Sequence, residues 1–404
     1  MKNGYTVIDM DTHVGPSVTT LYEYVDPSFK SRLPELEIYR GSEEVRRLRD
    51  RLRVGTISYD RFAGTEPTED DSKITRGGLT ANERPARIAS GKMEQGPGGH
   101  HRVSPQPRVD TDNVEGRLQD MDLEGRDIDY LFPSGWTSSC IAIPDVTLTE
   151  GIYRAFNNFY REYCSQQPDR LKGLIQVPGS DVEWAVAEIK AFGNDKWVGG
   201  VQPTLPEGMP VDHPDLDPIW EVMNDLDLPY AHHSIFFEPP YWPGYQDIWG
   251  NAAVARTAAH PWGAARVCSY FIVGKLFDRF PNLRLTVGEV GHGWLPHWLI
   301  RLGEMINYVS GTTPPLDYKP IEYAQMGRLS CSAEPMEGPA MTKACIDILG
   351  NGCMTHQSDY PHPEAHFPDT AQMVIDWPIW EELGEETLRK HMGGNAAKFL
   401  GSRL

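Results

Sequence analysis

The chain has 404 residues and a formal net charge of −19. That charge excludes nucleic acid as a partner, because phosphate binding needs a basic face, and no basic amphipathic stretch offers itself to an anionic membrane. With 40% apolar residues the chain can bury one sizeable core, yet no run approaches the roughly 18 consecutive apolar residues of a membrane span.

The opening Tyr5-Thr-Val-Ile-Asp9 has no signal-peptide pattern ahead of it, and the six cysteines lie scattered without a CxxC pair. Both features set the expectation of reduced core thiols and a cytoplasmic protein.

In chain order, short apolar runs predict strands at 5–10, 128–132, 173–177, 199–202, 229–232, 284–288, 328–332 and 354–357. Amphipathic segments at 114–124, 149–166, 182–192, 215–226, 263–279, 293–309 and 338–349 predict helices between them. Strands alternating with helices pair in parallel through crossovers. The pattern predicts a single α/β domain over 1–404, a (β/α)8 TIM barrel; such barrels need about 250 residues and tolerate long insertions.

Two regions break the rhythm. Residues 37–113, rich in charge, Gly and Pro, form a long insertion after strand 1, expected as a lid or a subunit contact. Residues 234–262 follow strand 5 and are rich in aromatic side chains. On a barrel such a loop walls the active-site mouth, so Phe236, Phe237 and Trp242, with His260 and Trp294, are the candidate lining of a pocket for an apolar substrate. Packing of the loop on the barrel rim or another subunit is the competing reading, and His260 has the competing role of capping the helix that follows.

Four strand ends carry residues suited to metals. Asp9-Met-Asp11-Thr-His13 closes strand 1, and residues two apart point to the same side. In His232-His233 at the end of strand 5, alternation lets one histidine face the barrel axis, and His232 is the expected one. Strand 6 runs into Glu289-Val-Gly-His292-Gly-Trp294, where a carboxylate after an apolar strand is costly unless it is paired or metal-bound. The alternatives there are an Arg partner or a helix cap. Strand 8 ends in His356-Gln-Ser-Asp359-Tyr-Pro-His362, with a turn or cap role as the alternative for Asp359.

These residues, with Arg117-Leu-Gln-Asp-Met-Asp-Leu-Glu-Gly125, Gly200-Val-Gln-Pro203, Asp217-Pro-Ile-Trp220, Phe277-Asp-Arg-Phe-Pro-Asn-Leu283 and Asn395-Ala-Ala397, make the chain resemble the amidohydrolase superfamily. Within it the chain is similar to the branch containing aminocarboxymuconate semialdehyde decarboxylase and related aromatic-acid decarboxylases. That branch takes its ligands from H-x-H or E-x-H on strand 1, a strand-5 His and a strand-8 Asp, which the resemblance carries onto Asp11, His13, His232 and Asp359. The chain departs from the pattern at Asp11, at Glu289 where the decarboxylases have His, and in pairing Glu289 with His292 and Asp359 with His362. The D-x-H opening and the Glu289-to-Trp294 motif also resemble a subgroup of TIM-barrel non-haem diiron monooxygenases, many of which act on thioester-linked substrates.

Three functions follow as expectations. The ligand count favours a monooxygenase hydroxylating an apolar or thioester-linked small molecule. It would hold two Fe ions through Asp11, His13, His232, Glu289, Asp359 and His362, with His292 as a further ligand or as a hydrogen-bonding partner behind them, and draw on dioxygen and an electron donor. Glu289, His292 and Asp359 would carry the chemistry. The alternative is a decarboxylase or hydrolase of an aromatic or unsaturated carboxylic acid with one Zn or Mn, Glu289 acting as general acid or base. A binding protein that kept only the fold is the third. A homodimer is expected by analogy with related barrels.

Overall fold

The computed structural model describes residues 1–16, 18–36, 113–133, 143, 145–205, 209–233, 252–362 and 365–404. Eight strands run parallel in sequence order: β1 (Ile8–Val14), β2 (Ile128–Pro133), β3 (Leu171–Pro178), β4 (Val198–Thr204), β5 (Tyr230–His233), β6 (Leu285–Gly288), β7 (Leu329–Ala333) and β8 (Met354–His356). The last meets the first: His13 N donates to Tyr360 O at 2.6 Å and Asp359 N to Asp11 O at 2.9 Å, beside a parallel Thr12–Tyr360 bridge. The eight parallel strands with alternating helices form a (β/α)8 TIM barrel.

Every residue of β1 and β3 is buried, as expected of parallel strands covered on both faces. Ile8, Met10, Tyr130, Phe132, Leu174 and Ala231 pack together in the barrel interior. The larger core lies between sheet and helices and includes Leu131, Tyr153, Trp197, Trp220, Tyr230, Phe271, Leu285 and Val287.

Helices start where side chains satisfy their first N–H groups. Asn113 accepts from Gly116 N ahead of Val114–Glu124, Asp145 accepts from Thr147 N and Leu148 N ahead of Val146–Cys164, and Asp181 accepts from Trp184 N ahead of Val182–Phe192.

The helix before β6 differs from expectation. It runs Ala252–Val273 with Pro261 inside it, whereas the sequence pattern starts it after the proline. Helical backbone therefore takes up the end of the expected aromatic loop, and Trp262 packs edge-on against Trp298 with ring centroids 6.3 Å apart. Phe236, Phe237 and Trp242 lie outside the described residues, as does the 37–113 insertion apart from Asn113. Among the described residues no helix is long and apolar enough to cross a membrane.

Candidate metal centre

The carboxyl ends of β1, β5, β6 and β8 bring six titratable side chains together. In β1 the pairing register shifts between Asp9 and Thr12. Met10 still packs inside the barrel, and the extra residue turns the alternation so that Asp11 and His13 also face the axis. His13 Nε2 lies 3.4 Å from Asp11 Oδ1 and 3.1 Å from Asp359 Oδ1.

On β5 the alternation runs the other way from expectation. Tyr230 packs outward on Trp220 and Phe271, while Ala231 joins the interior cluster. His233 therefore faces the axis and His232 faces the helices, where burial, Arg266 and His233 push its pKa down to about 3. His233 Nε2, not His232, reaches the cluster, 3.5 Å from Asp11 Oδ1 and 3.2 Å from Glu289 Oε2.

Glu289 follows β6. Leu285 and Val287 point into the outer core, so continued alternation would carry Glu289 outward as well. Instead its backbone takes a φ of 49°, a conformation uncommon for a residue with a Cβ, and the carboxylate swings back to the rim. Asp359, after β8, also has a left-handed φ, of 61°. His362 Nδ1 lies 2.8 Å from Asp359 Oδ1, and its ring stacks on His13 with centroids 4.0 Å apart.

Two overlapping groups, His13, Glu289, Asp359 and His362 on one side and Asp11, His13 and His233 on the other, each have ligand-type atoms within 4.8 Å of one another. Gly288 makes room for them, since a Cβ there would lie 2.9 Å from Asp11 Oδ2.

The residues fit a divalent cation. The carboxylate oxygens of Asp11 and Asp359 and the ring nitrogens of His13 are buried, and none takes a well-aligned hydrogen bond. Buried carboxylates in that condition are costly unless a cation compensates them. Burial raises Asp11, but His233 and His13 outweigh it and hold the carboxyl below its usual range. Burial lowers His233, yet Asp11, Glu289 and Asp359 overcome it and pull the imidazole up to about 9. Imidazoles and carboxylates in this mixture suit zinc and manganese.

His292 stands apart from the cluster. Its Nε2 meets Thr342 Oγ1 at 3.0 Å and its Nδ1 lies 3.0 Å from Glu337 Oε2. Thr342 and Glu337 claim its two ring nitrogens, which fits the supporting role and not the ligand role of the two expected for it.

A cavity of about 550 Å3 opens beside the cluster. Glu289, Asp359, His260 and Trp294 line it together with Glu334, Glu337, Met336 and Met341. The sequence reading missed Glu334 and Glu337. Glu334 directly follows the apolar run of β7, the same signal that drew attention to Glu289. Glu334 Oε1 accepts from Gly291 N at 2.7 Å; burial, with Glu337, Asp359 and Asp11 adding to it, outweighs that bond and pushes the carboxyl up to about 7.

A parallel barrel with imidazoles and carboxylates gathered at the carboxyl ends of its strands defines the class: a TIM barrel with a metal-type rim site. The amidohydrolase family profile matches residues 140–402, and the chain belongs to that family. It is 24% identical over 269 residues to a gamma-resorcylate decarboxylase of Polaromonas sp. (strain JS666), a match covering 63% of this chain and 78% of the relative. It is 25% identical over 290 residues to a 2-amino-3-carboxymuconate-6-semialdehyde decarboxylase of Dictyostelium discoideum, covering 70% and 76%. Among solved structures it resembles a 5-carboxyvanillate decarboxylase of Novosphingobium aromaticivorans complexed with manganese and 4-hydroxy-3-methoxy-5-nitrobenzoic acid. That likeness has a TM-score of 0.66 and 19% identity, with 99% of this chain and 97% of the other covered.

These relatives are decarboxylases, which overturns the monooxygenase expectation drawn from counting ligands. The two iron ions, the dioxygen and the electron donor that went with it lose their support.

Proposed function

We propose that the chain is a decarboxylase of an aromatic or unsaturated carboxylic acid working with one divalent cation, manganese or zinc. The observation that carries this reading is the convergence of Asp11, His13, His233, Glu289, Asp359 and His362 beside a cavity, with Asp11, His13 and Asp359 buried. The decarboxylase relatives, and the manganese in the 5-carboxyvanillate decarboxylase, support it.

The cation's ligands would be drawn from these six side chains, in a number that leaves positions open, and when bound it would supply a Lewis acid for the substrate carboxylate and a neighbouring oxygen. The chain's own residues do the rest. Trp294, Val290, Met336 and Met341 give the cavity apolar side chains against which a ring or alkene can pack. As the bond to the carboxylate breaks, its electron pair stays on the ring or alkene carbon, carbon dioxide leaves, and that carbon takes a proton. Glu334 holds this proton: Oε1 is occupied by the Gly291 N–H, which leaves Oε2 to carry it.

The test is carbon dioxide release by manganese-loaded protein under anaerobic conditions, using a panel of hydroxylated aromatic carboxylic acids. Turnover that persists without oxygen and falls at least about a hundredfold in His233→Ala is expected. Activity that requires dioxygen and a reductant, or no release from any member of the panel, would sink the reading.

A further inference from the structure

We propose that Glu337 is the positioning residue for Glu289, its carboxylate clamping the backbone of the turn that aims Glu289 at His233. This rests on the reading of the rim cluster as a divalent-cation site.

Between Gly288 and the helix Trp294–Tyr308 the chain turns sharply, with left-handed φ values at Glu289 (49°) and Gly291 (66°). The turn presents successive backbone N–H groups to one side, a concavity that attracts anions. Here the anions are the chain's own. Glu337 Oε2 accepts from His292 N at 2.9 Å and Gly293 N at 2.8 Å, while Glu334 Oε1 takes Gly291 N at 2.7 Å. A Cβ on Gly291 would collide with Glu337 Oε1, so the carboxylate sits where only glycine admits it.

His292 extends the clamp. It lies between Glu337 and Thr342 on the helix Gly338–Leu349, and Trp294 Nε1 donates to Gly291 O at 3.1 Å. The Glu289-Val-Gly-His-Gly-Trp294 motif thus has a division of labour: Glu289 faces the cluster, and the other polar groups and glycines fix its turn. Glu337 belongs to neither group of ligand-type atoms, so its influence on a cation passes through Glu289.

The test is a manganese titration of the full chain, following the electron paramagnetic resonance of free and bound ion, with metal-free circular dichroism as the folding control. Glu337→Ala is expected to weaken manganese binding roughly 10–100-fold and to alter the line shape of the bound ion. Glu337→Gln, which keeps an oxygen for the two N–H groups, should recover most of the affinity. Should Glu337→Ala lose its metal-free spectrum, Glu337→Asp, whose shorter carboxylate cannot reach the turn, is read the same way.

Affinity within twofold of wild type and an unchanged line shape would overturn the clamp; if Glu289→Gln still loses manganese, the cation site itself stands. A wild-type chain that takes up no manganese would overturn the site and the clamp together.

Discussion

His233 enters the cluster through strand alternation alone, because Ala231 packs inside the barrel and its neighbour two residues on must follow. Glu289 enters against alternation, and both it and Asp359 hold positive φ values that cost of order 1–3 kcal/mol each and persist only where surrounding contacts hold them. Glu334 makes the residue scale testable by pH. Its carboxyl is raised to about 7, so the acid form needed to deliver a proton is present below that pH and lost above it. kcat should fall about tenfold per unit above pH 7, and Glu334→Gln should lower kcat and abolish this limb. A Glu334→Gln enzyme with the wild-type pH–rate profile would remove Glu334 from the reaction.

At the scale of elements, the junction of β1, β2 and β8 is held by a buried ionic network. Asp129 on β2 accepts from Arg117 Nη1 at 2.8 Å and from Arg126 Nη1 at 3.1 Å. Arg117, on the helix Val114–Glu124, also donates to the carbonyl of His13, and both guanidiniums lie against the Tyr360 ring. Asp9 Oδ1 takes Ser358 N at 2.9 Å, tying the start of β1 to the segment that carries Asp359. Removing one partner from such a network strands a buried charge. Asp129→Asn should therefore destabilise the chain by about 3–5 kcal/mol in urea unfolding, and should loosen manganese binding as His13 and Asp359 lose their support. An unfolding midpoint equal to wild type would show the network to be dispensable.

At the scale of the whole molecule, buried neutral histidines set the acid limit. His391 is packed against Trp380, and burial, with His292 adding, pushes its pKa down to about 3. In the unfolded chain a histidine titrates near 6.5, so between about 6.5 and 3 the unfolded state binds a proton that the native state refuses. The stabilisation is complete above that window and is lost as pH falls through it, by about 1.4 kcal/mol per unit for this one group. Between pH 6.5 and 5 this group lowers the urea midpoint of the metal-free protein, and His391→Phe should remove that share of the pH dependence while leaving the shares of His233 and Glu334 in place. A His391→Phe chain whose midpoints keep the wild-type pH dependence from pH 6.5 to 5 would contradict the assignment.

The sequence by itself determined the parallel barrel and the strand ends that bear ligand-type residues. Apolar runs and amphipathic periods are local properties, and the helices Val114–Glu124, Val182–Phe192 and Gly338–Leu349 fall on their expected bounds. Only the tertiary structure decided which side chains meet. The choice of His233 over His232 depends on which face of β5 lies inside. His292 leaves the ligand set because Glu337 and Thr342, remote in sequence, reach its ring. Glu334 gains its raised pKa first from burial that no local pattern records, and then from the carboxylates of Glu337, Asp359 and Asp11. Counting ligands along the chain led toward two irons, and the fold still gathers six such residues; the decarboxylase relatives, not the count, overturn that expectation.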